Sequence, residues 1–212
     1  IISMVKKIFA QLESLSYREK KDSDLTFDLT QYISEEDFKR YKKAIELLVV
    51  YCDKYLINKK IFDSVSSVFQ NENGNNVKLS VLIDIIRCYD GLNHPTSFNS
   101  AEGIALMMFV GDYFSIESIN SYNELKHTSE IAVSLIDLIP CVCEFSAKIG
   151  DCYNLFLAPI IDQYNRENAK MYRILLYNFS KRVAEIDSKI SESEDDWLKE
   201  ILLLNDDDTS ND

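Results

Sequence analysis

Between Tyr172 and Leu204, apolar residues recur three and four apart as far as Asp187, the pattern breaks, and a second run begins at Ser191. That spacing puts the apolar side chains of each run on one face of an α-helix, so the segment reads as helix, tight acidic turn, helix. Ser191 followed by Glu194 is the pattern of a capping box, in which hydroxyl and carboxylate each take a backbone N–H at the start of the second helix. Trp197, Leu198, Ile201 and Leu202 then form its apolar face, and Asp187 is placed to stabilise the turn. Such a unit supplies a fold rather than a reaction.

The rest of the chain has the same grammar. Ser34 with Asp37 three residues on opens a long helix carrying Phe38, Tyr41, Ile45, Leu48, Cys52 and Tyr55 on one face. A shorter helix over about 60–69 ends in the polar run Asn71–Asn76, where Gly74 is the residue suited to positive φ. Leu79, Leu82, Ile83, Ile86 and Tyr89 mark a further stripe. The stretch 100–114 is apolar on nearly every face, which predicts a central position, with Asn99 and Glu102 at its start. Thr128 starts a helix that Pro140 ends or kinks and that resumes to about Ile149; Gly150 and Asp151 break the chain, and the helix over 152–164 carries a second kink at Pro159. Only 5 glycines and 3 prolines occur in 212 residues, far fewer than strands and their turns demand. The expected fold is all-α, a globular multi-helix bundle. Residues 1–33 read as an irregular lead-in, 34–204 as the helical domain, and 205–212, with no apolar residue, as an acidic linker or tail.

Charge narrows the partners. Lys and Arg number 12 against 10 Asp and Glu in residues 1–60, but 11 against 25 in the remainder, for a net −12. Such a surface repels phosphate backbones, which argues against nucleic acid. No apolar run approaches the roughly 20 residues of a bilayer span, so no membrane partner is expected. Five cysteines, an odd number without a CxxC pair, read as thiols in the core of a cytoplasmic protein.

The chain also echoes itself. VLIDIIRCYDG followed by NSAEGIALMMF parallels LLYNFSKRVAEIDS followed by SESEDDWLKEIL, giving two pseudo-repeated helix-turn-helix units. At these residues it resembles the TerB-like group, small all-α domains of the tellurite-resistance type, whose pattern is an apolar helix, Asp-Gly, an aliphatic residue, Ser or Thr, then Glu in the next helix. The second unit matches at Asp187, Ile190, Ser191, Glu194, Trp197 and Leu198, with Ser188 in place of the usual glycine; the first keeps Asp90, Gly91, Leu92 and Glu102 with an insertion of about five residues. The chain is also similar to the N-terminal region of bacterial AAA-type ATPases of the sporulation-protein kind, where a helical domain and an acidic linker precede the motor. The resemblance implies a non-catalytic domain that binds a protein partner or client, with an ATPase domain downstream. It also implies an alternative, a stand-alone stress protein binding a divalent metal.

Metal candidates are then Asp187 and Glu194, with Asp90 and Glu102 as counterparts. The calcium-loop template does not fit, because the twelfth position is Leu198 counted from Asp187 and Ala101 counted from Asp90. Capping explains Ser191 and Glu194 without an ion, so no cofactor is expected. Cys141 and Cys143, two apart on a helix, point about 200° apart and do not chelate one ion. His94 and His127 lack a neighbouring nucleophile in a recognised arrangement, and a hydrolase would have to be assembled from distant positions. The basic run Lys39, Arg40, Lys42 and Lys43 fits a solvated face beside Glu35, Glu36 and Glu46.

Overall fold

The chain enters its core at once. Helix α1 (Ile2–Ser16) turns Val5, Ile8, Phe9 and Leu12 to one side, and all four are buried. The computed structural model describes residues 1–17, 25–93, 100–151, 153–185 and 190–209, and in it the expected irregular lead-in over 1–33 is corrected for 1–17 and 25–33, while 18–24 lie outside the described residues. Thr26–Phe27 (β1) pairs antiparallel with Thr128–Ser129 (β2). Leu29 N–H donates to the Leu125 carbonyl at 2.8 Å, and the Tyr122 hydroxyl is within donating distance of the carbonyls of Thr30 and Ile33. Leu29 and Ile33 are buried as a result. The sequence does not mark this segment, because its pairing partners lie almost a hundred residues away.

Helix α2 (Glu35–Tyr55) opens as its cap requires, the Ser34 hydroxyl accepting from Asp37 N–H at 3.1 Å. The expected face is buried from Phe38 to Cys52, while Tyr55 at its end is exposed. The basic run is largely spent locally. Lys39 pairs with Glu35, Arg40 with Glu36, and Lys42 reaches Glu46 and Asp112. The exposed i,i+4 pairs, Lys39–Glu35 and Arg40–Glu36, contribute about 0.3–0.5 kcal/mol each. Helix α3 (Lys59–Phe69), capped by Asn58, stops at Gln70, which takes the left-handed conformation at φ 55°. The positive φ expected at Gly74 is therefore at Gln70 instead.

Helix α4 (Asn76–Asn93) is more central than a one-sided stripe suggests, since every residue from Leu79 to Tyr89 is buried. Helix α5 (Ser100–Tyr113) is likewise buried from Ala101 to Gly111, as its apolar composition predicts; Asn99 lies outside the described residues. After a 3-10 turn (Tyr122–His127), Ser129 caps the short α6 (Glu130–Ser134), and a 3-10 turn (Leu135–Asp137) leads into α7 (Leu138–Lys148). Helices α8 (Leu157–Tyr164), α9 (Arg166–Ala184) and α10 (Glu192–Ile201) follow.

The two prolines expected to kink helices begin them instead. Pro140 and Pro159 are each the third residue of their helix, α7 and α8, where an N–H has no intrahelical acceptor. Pro140 would crowd the carbonyl of Ile136, four residues back, and it is there that the chain runs through the 3-10 turn instead of continuing α6.

Helix α4 touches α3, α7, α8, α9 and α10, and α2 lies along α9. The two helix pairs singled out in the sequence interleave: α10 rests on α4, and α5 on α9. The acidic end is not free over its first residues. Leu204 is buried, Asp206–Thr209 forms a 3-10 turn, Asp208 pairs with Lys170 of α9 at 2.9 Å, and Asp206 pairs with Lys199 of α10 at 2.9 Å. The reading of 205–212 as a solvated tail is corrected to that extent; residues 210–212 lie outside the described part. Among the described residues no helix is long and apolar enough to cross a membrane.

One glycine is sterically required. A Cβ at Gly111 would lie 2.2 Å from the Glu117 carbonyl oxygen, where the chain folds back after Ser115 at φ 53°. At Gly74 a Cβ meets nothing within 4 Å. Gly111→Ala is expected to lower the melting temperature by several degrees, and Gly74→Ala to leave it unchanged or slightly higher. Equal melting of the two variants, followed by circular dichroism, would contradict this account of the α5 turn.

A candidate docking groove

Two ionisable residues sit inside the most buried helix. Asp84 on α4 has no exposed surface, and its carboxylate accepts from Phe156 N–H at 2.6 Å, Leu157 N–H at 3.1 and 3.2 Å, and Ala158 N–H at 3.3 Å. Pro159, next in sequence, has no N–H. The four positions that open α8 are thus fully accounted for by one side chain from another helix. The Tyr172 hydroxyl of α9 adds a fifth contact to Asp84 at 2.8 Å. Burial pushes the Asp84 carboxyl up to about 6, against the opposing pull of the Phe156 N–H, the Tyr172 hydroxyl and the Arg87 charge.

Arg87, one turn further along α4, is also buried. Its Nε donates to Ser146 Oγ at 3.0 Å, one Nη to the Ser146 carbonyl at 2.9 Å, and the other Nη to the Asn154 carbonyl at 3.0 Å. Asp84 and Arg87 together strap residues 154–158 onto α4. Removing Asp84 would leave buried N–H groups of 156–158 unsatisfied, and removing Arg87 would do the same to the carbonyls of Ser146 and Asn154, at about 1–3 kcal/mol per group.

The strapped segment is one wall of a groove of about 650 Å³ whose other wall is α10. The α10 wall is positioned by its capping box: the Ser191 hydroxyl accepts from Glu194 N–H at 3.2 Å and Glu194 Oε2 accepts from Ser191 N–H at 3.4 Å. The Tyr177 hydroxyl of α9 donates to Asp195 at 2.5 Å and fixes the helix laterally. Leu198, Ile201 and Leu202 are buried as expected. Trp197 is not buried with them. It is half-buried at the border of that face and lines the groove, edge-on to Tyr153 with ring centroids 6.1 Å apart.

Tyr153 (70 % exposed) and Leu203 (73 % exposed) stand as apolar lips. Arg173 of α9, only 8 % exposed, also lines the groove and reaches Asp162 through one Nη at 3.4 Å. Two donors here have no acceptor, Trp197 Nε1 and Arg173 Nε. A buried donor without a partner costs about 1–3 kcal/mol, so this is unusual chemistry for two residues of one cavity. A concave surface lined by apolar and aromatic side chains with a few polar groups among them is what a binding site provides.

Of the metal candidates, neither Glu102 nor Glu194 lines this groove. Asp187 and the side chain of Asp90 lie outside the described residues, Glu102 is buried within α5, and Glu194 is engaged in the capping box. Among the described residues no three His, Cys, Asp or Glu side chains are grouped to hold a metal ion. Burial pushes the thiols of Cys52 and Cys88 up to about 12, which keeps them protonated as core residues. His94 lies outside the described part. Beside His127, the Ser129 hydroxyl donates to Glu117 at 2.6 Å while capping Ala132 N–H.

Asp84 and Arg87 escaped a reading built on apolar stripes. The signal was present: opposite charges three residues apart in a helix otherwise almost wholly apolar. A comparison with known proteins finds no matching family model, curated protein or solved structure.

The Asp84 carboxyl sits above its ordinary 3.8 in the folded chain, so between about pH 4 and pH 6 the folded state holds this proton more tightly than the unfolded state. The contribution of Asp84 to stability is therefore greatest below pH 4 and falls, on the order of 3 kcal/mol, as pH rises through 6. Urea unfolding from pH 4 to 7 should show this decline, and Asp84→Asn, less stable throughout, should lack it. The same slope in both proteins would refute the assignment.

Proposed function

We propose that this chain is a non-catalytic helical interaction domain that docks a protein partner in the groove between the 153–159 segment and α10. The observation that carries the reading is the groove itself, with two aromatic or aliphatic lips turned to solvent, a tryptophan in one wall, and the other wall fixed by buried Asp84 and Arg87. An exposed Tyr and a half-buried Trp set on a rigid base are residue types enriched at interface anchors, and Leu203 adds apolar surface beside them. The TerB-like resemblance supplies the context: a regulatory or recognition domain ahead of a bacterial AAA-type ATPase motor. In that setting, partner binding at the groove is next to the 206–209 turn, because Lys199 of α10 holds Asp206. A phosphate-binding loop encoded beyond Asp212 is the expected genomic companion.

Photo-crosslinking tests the docking reading directly. With p-benzoylphenylalanine at Tyr153, the native cells should yield a discrete protein adduct that is absent with the probe at Lys39 on α2 and lost when Trp197→Ala is added. Identical adducts from both positions, or none from Tyr153, would count against the groove.

A further inference from the structure

Leu203 occupies a position that ordinarily belongs to glycine. At the end of α10, Leu204 N–H donates back to the Lys199 carbonyl at 2.8 Å and Leu203 N–H to the Glu200 carbonyl at 3.0 Å, a helix stop that needs its penultimate residue left-handed. Leu203 has φ 56° and is 73 % exposed. The side chain therefore gains nothing from burial and strains the backbone, yet it stands on the lip of the groove. Tyr153, the other exposed lip, lines the same groove, as do Trp197 and Arg173, whose buried Nε1 and Nε atoms have no acceptor.

Resting on the docking reading above, we infer that the occupant of the groove is an extended peptide segment. Its main-chain carbonyls would take the Trp197 and Arg173 donors, and a bulky apolar side chain would seat between Tyr153 and Leu203. Donors call for oxygen acceptors. A carboxylate is the less suitable acceptor, because Glu200 lines the groove, Asp162 already faces Arg173, and the chain carries net −12. A neutral carbonyl meets the donors without that repulsion, and an extended chain presents carbonyls and side chains from the same short stretch. Both donor atoms are covered in the free chain, so entry of the peptide requires the Trp197 ring and the Arg173 side chain to shift a little toward the opening.

Trp197 is the one tryptophan of the chain, so its fluorescence reports occupancy. Random dodecapeptides selected on the intact chain, then synthesised with acetylated and amidated ends, should shift that emission on titration. Leu203→Gly should melt at the same or a higher temperature, because it relieves the left-handed strain, and yet bind the capped peptide about tenfold more weakly through loss of the apolar contact. Trp197→Phe, followed by calorimetry, should keep the fold and lose about tenfold, the weight of one hydrogen bond. Unchanged affinity in Leu203→Gly would remove the peptide from this groove. Binding only by peptides with a free carboxyl end would overturn the carbonyl assignment. Failure to select any peptide, while the Tyr153 adduct still forms, would overturn the peptide inference and leave docking of a folded surface standing; loss of the adduct as well would take the docking reading with it.

Discussion

A single buried carboxylate holds this fold together at the point where its later helices join. Helix α8 begins in the interior, where water cannot serve its first N–H groups, and Asp84 of α4 accepts all three that exist. The partial positive charge of the helix start stabilises the carboxylate, and the carboxylate removes the cost of burying the helix start. Neither is tolerable alone. Arg87 completes the arrangement by taking carbonyls of Ser146 and Asn154, so that α7, α8 and the loop between them are all referred to one turn of α4.

Rigidity at the groove follows from this. The wall strapped onto α4 has its N–H groups at 156–158 and the Asn154 carbonyl committed to buried side chains, whereas Tyr153, just before it, turns its ring outward. The opposite wall is secured at both ends, by the Ser191–Glu194 capping box and by ion pairs from Lys199 to Asp195 and Asp206. Binding to such a surface would forfeit little loop entropy, since little remains to be ordered beyond the two lips.

Apolar spacing made the helices legible, and cap chemistry placed their starts at Ser34 and Ser191 within a residue. The same logic failed where the determining contact is distant. Pro159 reads as a kink unless it is known that Asp84, 75 positions earlier, serves the N–H groups preceding it. The segment over 25–33 reads as irregular because its order comes from Leu125 and Tyr122. Trp197 was expected in the core, since a face pattern gives the angle of a residue around its helix but not how far the neighbouring wall extends over it. The groove itself was not legible at all, being made of residues from three separate elements.

The pairing of α1 with α7 has a consequence for biosynthesis. The apolar face of α1 packs against a helix made about 130 residues later. At roughly 5–20 residues per second, Val5, Ile8, Phe9 and Leu12 wait on the order of ten seconds outside the ribosome before their cover emerges. An amphipathic helix exposed for that long is open to association with other apolar surfaces, so α1 is where a slowed ribosome would first show as aggregation.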